Sequence, residues 1–327
     1  MPNPSFDDLL STTINRHRQT LADNIFQASP LTFWLKENGR IVEGGGVNIV
    51  EPVIYDQNST AASYSDTDTL SVSLNQTLTA ASYSWKQLAA SIVLTGTDEI
   101  QNGSREMIIN LLEARVKVAE LSLIEAINQQ LMGDGTGNGG KNLLGLQAIV
   151  AVTPTSGTLG GIDRSLAANA FWRNQTNTSG GTWDVGTDME ATAFNTLRTA
   201  YTSCIFGKQA PDLILMDERH YIGYERVLDA KVRLAHEAMG RGGFESLTYK
   251  GKPVVFDRDI QGQSVPSNIY LINSSFLKLT IHRDRNFVTT PFVKPTNQDL
   301  RVAQLFFAGN LTTNGPRFLG QISGLTA

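Results

Sequence analysis

The chain has 327 residues, more than twice the commonest domain size of ~100–150, which excludes a small disulfide-stapled scaffold and leaves room for one large or two modest cores. Hydrophobic residues make up 41% and charged residues only 18%, against a charged share of about 25% in ordinary domains, so the surface is poor in charge and suited to becoming interface. A formal net charge of −4 argues against a dedicated nucleic-acid binder and restricts any polyanion contact to a local patch.

The opening residues Met1-Pro2-Asn3-Pro4-Ser5-Phe6-Asp7-Asp8 lack the basic start and apolar run of a signal peptide. No apolar stretch approaches the ~20 residues of a membrane span, so a soluble protein made in a cytoplasm is expected. From Phe6 to Leu35 the apolar residues Phe6, Leu9, Leu10, Ile14, Leu21, Ile25 and Phe26 recur at loosely helical spacing, predicting a helix followed by a turn at Ser29-Pro30.

After Gly44-Gly45-Gly46, Val47, Ile49, Val53 and Tyr55, then Leu70, Val72 and Leu74, alternate with polar neighbours. This pattern predicts a long β-hairpin with little to bury itself against. Between Arg40 and Lys86 there is no basic residue, yet Glu43, Glu51, Asp56, Asp66 and Asp68 all fall there. So one-sided a charge pattern calls for a basic partner surface. The hexapeptide Thr-Ala-Ala-Ser-Tyr-Ser stands at both 60–65 and 79–84, which suggests similar hairpin arms.

Ser104 can cap a helix running to about Met132, with Ile108, Leu112, Val116, Ala119, Leu123 and Ile127 on one stripe. Glu113 and Lys117 form a favourable i,i+4 pair on it. The run Gly133-Asp134-Gly135-Thr136-Gly137-Asn138-Gly139-Gly140-Lys141 then stops the helix, because glycine admits positive φ. A mixed region follows: an irregular stretch over 153–187, helices near Ala191–Tyr201 and Glu218–Met239, and strands at 212–216, 253–256 and 269–272. Further strands are expected at 277–281, 287–288 and 301–307.

Chemical motifs fail on context. Gly135, Gly140 and Lys141 match part of a phosphate-binding loop, but Asn142 stands where magnesium needs Ser or Thr, and the loop closes a helix when it should open one. Gly135, Gly137 and Gly140 spell a dinucleotide fingerprint in the same inverted context. A calcium loop starting at Asp134 reaches Gly145 where the bidentate Glu is required. His17, His220, His236 and His282 show no paired spacing, and they read as structural or solvated residues. Cys204, the single cysteine, permits no intramolecular disulfide and reads as a core thiol. The carboxylates of Asp217-Glu218 and Asp257-Arg258-Asp259 read as solvated or salt-bridged surface. No catalytic residue, cofactor or metal ligand is therefore assigned, and an enzyme is not expected.

The order of these pieces carries a resemblance. Leu131-Met132-Gly133-Asp134-Gly135-Thr136-Gly137 ending the long helix is followed by Gly145-Leu146, then Gly160-Gly161-Ile162-Asp163-Arg164-Ser165 and Phe171-Trp172-Arg173-Asn174. Later come Leu247-Thr248-Tyr249-Lys250-Gly251-Lys252-Pro253-Val254-Val255-Phe256-Asp257 and Ile269-Tyr270-Leu271-Ile272-Asn273. Over nearly the whole chain this resembles the major capsid proteins of tailed bacteriophages, whose α+β fold is named after phage Hong Kong 97. The resemblance implies an N-terminal arm over 1–40 and an extended β-hairpin loop over 41–95. It also implies a peripheral domain with a spine helix over 96–145 and 281–327, and an axial domain over 146–280.

It further implies a homo-oligomer of hexamers and pentamers closing an icosahedral shell around double-stranded DNA, with non-specific contact to the packaged genome. The implied location is the virion capsid, assembled in a host bacterial cytoplasm, with a portal and a decoration protein as partners and no membrane. Because the arm starts almost at Met1, a separate scaffolding protein is expected. Other relatives cross-link a hairpin lysine to a neighbour's asparagine. The hairpin from Ile41 to Trp85 has no lysine and Lys86 lies at its base, so non-covalent contacts are expected, with Glu51, Asp56, Asp66 and Asp68 as subunit-interface residues. The alternatives are an encapsulin-type nanocompartment shell, or a β-rich ligand-binding protein or enzyme using the glycine loop.

Overall fold

The computed structural model describes residues 29–101, 105–178, 189–228, 239, 244, 246–260 and 268–324. The expected arm helix, His17, His236 and the Ser104 cap lie outside the described residues. At the first described residues Pro30 opens a helix, Pro30–Glu37, where a turn was expected. Ser29 is extended, and Pro30 takes the first helical position, where a missing N–H costs nothing and its fixed φ suits the helix. Leu31, Trp34 and Leu35 of this helix are buried.

The strands in chain order are β1 (Ile41–Gly44), β2 (Ile49–Ile54), β3 (Leu78–Tyr83), β4 (Lys86–Thr95), β5 (Thr158–Leu159), β6 (Ile162–Asp163), β7 (Gln175–Thr178), β8 (Leu213–Met216), β9 (Leu247–Tyr249), β10 (Lys252–Phe256), β11 (Ile269–Ile272), β12 (Leu277–His282), β13 (Val288–Thr289), β14 (Leu300–Thr313) and β15 (Gly320–Ser323). One five-stranded sheet runs β1-β12-β14-β13, with β4 also pairing β14. A six-stranded mixed sheet runs β7-β15-β11-β8-β10-β9, and β2-β3 and β5-β6 form separate two-stranded ribbons.

Leu213-Ile214-Leu215-Met216 and Ile269-Tyr270-Leu271-Ile272 are buried at every position. Continuous apolar strands of this kind need cover on both faces. The helices Met189–Ser203 and Glu218–Leu228 cover one face through Leu197, Tyr201, Tyr221 and Tyr224. Cys204 lies in this layer with its thiol buried, as expected, and burial pushes its pKa up to about 12, which keeps it protonated and inert. The other face joins the main core, where Leu213 and Leu215 are grouped with Leu31, Leu35, Ile127, Leu131, Leu279 and Phe307.

The predicted long helix is present as Arg105–Met132, 28 residues or about 42 Å at ~1.5 Å per residue. Its stripe Leu112, Val116, Ala119, Leu123 and Ile127 is buried, extended by Leu131. The upper half packs with Ile92, Leu94, Phe292 and Ala303 beneath the five-stranded sheet, and the lower half enters the main core. Val118 and Leu121 on the outer side are exposed.

Strand pairing cuts across the expected segment limits. β1 and β4, within 41–95, pair in the five-stranded sheet, as does β12, which begins before 280. β15, within 281–327, instead pairs in the six-stranded sheet with β11 and β7.

Asp257 is buried beside Ser29, whose hydroxyl donates to its Oδ2 at 3.3 Å, while the Asp259 N–H donates to Oδ1 at 3.0 Å. Burial, helped by the neighbouring Asp259 carboxylate, raises its pKa to about 6 despite these bonds. The folded value lies above the unfolded one of ~3.9, so the stability this group contributes is fully present below about pH 4 and is lost as pH rises through about 6. Asp257→Asn keeps an acceptor and removes the charge. It should stabilise the chain by about 1–3 kcal/mol at pH 8 and by little at pH 4, measured by urea titrations at both pH values.

Candidate assembly interface

The hairpin is shorter as a ribbon than its sequence predicts. β2 and β3 pair antiparallel from Ile49↔Tyr83 to Ile54↔Leu78. Leu70 to Asn75, expected as strand, form none. Of the two Thr-Ala-Ala-Ser-Tyr-Ser copies, only the second lies in a strand, because only it has an opposing strand to receive its hydrogen bonds.

The ribbon also buries more than expected. Ile49 and Val53 on β2, with Ala81 and Tyr83 on β3, face the main core, while Val50, Ile54 and Leu78 on the other face are exposed. Gly160 fits beneath this base with φ +58°, and a Cβ there would stand 2.9 Å from the Ala81 Cβ. Its carbonyl accepts from the Ser82 N–H at 2.8 Å. The Tyr83 hydroxyl donates to the Thr313 carbonyl at 2.8 Å, and burial raises the Tyr83 pKa well above the usual phenol range.

Glu51 completes this base. Only 6% exposed, its carboxylate accepts from Lys278 Nζ at 2.8 Å and from Thr312 Oγ1 at 3.3 Å. The structure thus separates the four expected interface acids: Glu51 points inward to a lysine of its own chain, whereas Asp56, Asp66 and Asp68 are exposed. Alternation along β2 explains the difference, since Glu51 shares the inward face with Ile49 and Val53. The signal was legible in its position two residues from each of those apolar neighbours.

Beyond Ile54 the loop is shaped by its own polar side chains. Asn58 Oδ1 accepts from the Thr60 N–H at 3.0 Å and the Thr60 hydroxyl at 2.7 Å. Asp68 Oδ2 accepts from the Ser65 N–H at 2.8 Å, and Asn75 Nδ2 donates to Ser59 Oγ. These side-chain turns give local shape without a core. Val72 and Leu74 are 95% and 99% exposed, and Tyr64 and Leu70 are also exposed. Such a concentration of bare aliphatic side chains on one segment marks an interaction surface.

The glycine loop has a structural role in this arrangement. The Asp134 carboxylate accepts from the Thr136 N–H at 2.9 Å, Lys86 Nζ donates to the Gly140 carbonyl, and Asn138 adopts φ 53°. The Gly145 Cα abuts the end of the long helix so closely that a Cβ would lie 2.3 Å from the Gly133 carbonyl. The loop follows the helix C-terminus at Met132, as its sequence indicated, so no ordered helix start faces it from that side. His220 is buried against Asp217, and His282 packs on the Trp85 ring at 4.8 Å. Among the described residues, no group of His, Cys, Asp and Glu is arranged to hold a metal ion, and no helix is long and apolar enough to cross a membrane.

No family model and no curated protein matches the sequence. Solved structures do match. The chain is similar to the capsid asymmetric unit of cyanophage A-1(L), with 18% identity, TM-score 0.66, and 88% of this chain and 91% of that one covered. It is similar to the capsid of Myoviridae phage XM1, with 13% identity, TM-score 0.55, and 91% and 92% covered. The holo-SrpI encapsulin from Synechococcus elongatus PCC 7942 also matches, with 9% identity, TM-score 0.52, and 89% and 87% covered.

Glu51→Gln should lower stability by about 1–3 kcal/mol, because it leaves Lys278 without its charge partner, while Asp66→Asn should change it by under about 0.5 kcal/mol. Urea denaturation of both variants checks the contrast. The likeness, over about nine-tenths of each chain, shows that this chain has the α+β Hong Kong 97-like capsid fold.

Proposed function

We propose that this chain is the major capsid protein of a tailed bacteriophage, assembling as hexamers and pentamers into an icosahedral shell around double-stranded DNA. The observation that carries the reading is the extended hairpin, anchored at its base by buried contacts yet bare and apolar along Leu70–Leu74. A soluble subunit that leaves these side chains exposed has a surface suited to neighbouring copies. The higher similarity to the cyanophage capsid, 0.66 against 0.52 for the encapsulin, supports a phage shell over a cargo compartment.

In this reading residues 1–40 are the arm, and the loop proper is the β2–β3 ribbon with residues 55–77. The five-stranded sheet with the long helix is the peripheral domain, and the six-stranded sheet with its helices is the axial domain. Asp56, Asp66 and Asp68 meet basic residues of adjacent subunits, each exposed pair contributing ~0–1 kcal/mol, so cohesion comes from many contacts. A scaffolding protein, a portal and a decoration protein remain its expected partners, the chain acts as a structural protein and not an enzyme, and assembly takes place in the host cytoplasm.

Purified protein should form closed shells by electron microscopy, and particles taken from infected cells should contain double-stranded DNA. A monodisperse monomer under every assembly condition, seen by light scattering, refutes the shell. Shells that hold a cargo protein and no DNA favour the encapsulin reading. Replacing residues 57–76 by a short Gly-Ser turn should leave the circular dichroism spectrum of the subunit unchanged and abolish closure. Boiled in detergent, mature particles should release one band near 35.6 kDa, since the hairpin carries no lysine for a covalent link.

A further inference from the structure

The five-stranded sheet has an open edge. β14 holds β4 through residues 300–309 against 86–95. On its opposite edge, Val302 exchanges both backbone hydrogen bonds with Val293 at 3.0 Å, and the Gln304 carbonyl accepts from the Thr290 N–H at 2.9 Å. Val302 and Gln304 thus turn their backbone groups away from β4. Their opposite residues Val93 and Ser91 occupy the non-hydrogen-bonded positions and turn theirs outward. The Arg115 guanidinium donating to the Val93 carbonyl fits this assignment. By the two-residue period, Gln87 and Ala89 face the same way. Among the described residues, no strand pairs with this edge.

A groove of about 800 Å³ runs beside it. Its far wall is the long helix, where Ala114, Val118, Ser122 and Ala126 form an i,i+4 row of small and medium side chains. The charged residues lining it are Arg115 and Lys141, both basic, although Arg115 also pairs with Asp98 at 2.7 Å.

The loop supplies the complement. Leu70, Val72 and Leu74 alternate with Ser71, Ser73 and Asn75 as a strand would, yet they pair with nothing in their own subunit and are exposed. Extended, these six residues span ~20 Å, close to the ~23 Å of Gln87 to Val93. Asp66 and Asp68 precede them in a stretch without a single basic residue, which matches the sign of the groove. The six-residue β3 ladder carries the loop roughly 20 Å away from its own β4, so a second copy presents the accessible edge.

We propose that Leu70–Asn75 of one copy adds as a strand to the open edge of β4 in a second copy, filling the groove between that strand and the long helix. The inference rests on the shell reading and names the contact by which the loop serves it. Main-chain hydrogen bonds provide the attachment, and alternate side chains set the register. The acidic approach at Asp66 and Asp68 selects the basic groove.

Mixed assembly of two single-cysteine variants tests the contact, because any bond between them joins two chains. Val72→Cys is assembled with Gln87→Cys, Ala89→Cys or Ser91→Cys, and the shells are oxidised; native Cys204 is buried and does not compete. The expected result is a reducible dimer band for at least one mixture that neither variant gives alone. Normal shells without any such band overturn the inference and leave the shell reading standing, whereas wild-type protein that never forms shells overturns the reading itself. A Leu9→Cys variant that links to Ala89→Cys while Val72→Cys does not makes the arm the occupant and also overturns the proposal. Val72→Pro, placed in exposed coil, should leave subunit stability unchanged and reduce shell yield roughly tenfold or more, since it removes a ladder donor. Unchanged yield overturns the proposal.

Discussion

Backbone hydrogen bonding along β14 is the interaction on which the rest of the structure depends. Its 14 residues receive β4 on one edge and β12 and β13 on the other. The residues that hold the hairpin, Thr312 and Thr313, lie at the end of the same strand. Occupying both of its edges makes β14 a central strand and transfers the unsatisfied edge to β4. An open edge is a liability in a monomer, because it offers a row of unpaired donors and acceptors to any strand that approaches. For a subunit that works in an assembly, the same row can serve as a joint.

The hairpin separates anchoring from contact along one chain segment. Near its base, alternation directs Ile49, Glu51 and Val53 inward, and each meets a fitted partner: apolar side chains for the first and third, Lys278 and Thr312 for the second. A buried ion pair of this kind is weak support for stability, since desolvation offsets much of its attraction, but it fixes geometry because few orientations satisfy both charges. Farther out, short polar turns shape the loop, and its aliphatic side chains face solvent. Net negative charge on this segment keeps such a surface dispersed until a basic partner approaches.

Chemistry that the sequence offered in passing is absorbed by packing. Cys204 is a core thiol, and Asp134 and Lys86 hold a loop together. Gly160 makes room for the hairpin base at a conformation that suits residues without a side chain. Asp257 is different in kind, because a carboxylate buried beside Asp259 titrates nearer neutrality than carboxylates in water. That places a proton-sensitive group beside Ser29, at the start of the Pro30–Glu37 helix.

Local pattern by itself determined much of this protein. The 28-residue helix, its buried stripe, the glycine stop after it and the strands at 213–216, 252–256 and 269–272 follow from periodicity and from residues that break it. The acidic character of the hairpin was equally plain. Pairing decided the rest, because a strand exists only where another strand accepts its hydrogen bonds. Leu70–Asn75 has the alternation of a strand and no partner within the subunit, whereas Leu78–Tyr83 finds β2 and becomes one. The same dependence sends β15 to the six-stranded sheet and β12 to the other, though both lie near the C-terminal end of the chain. It also turns Glu51 from a surface acid into a buried anchor, since its partners Lys278 and Thr312 lie more than 200 residues away in sequence and only the folded sheet brings them together.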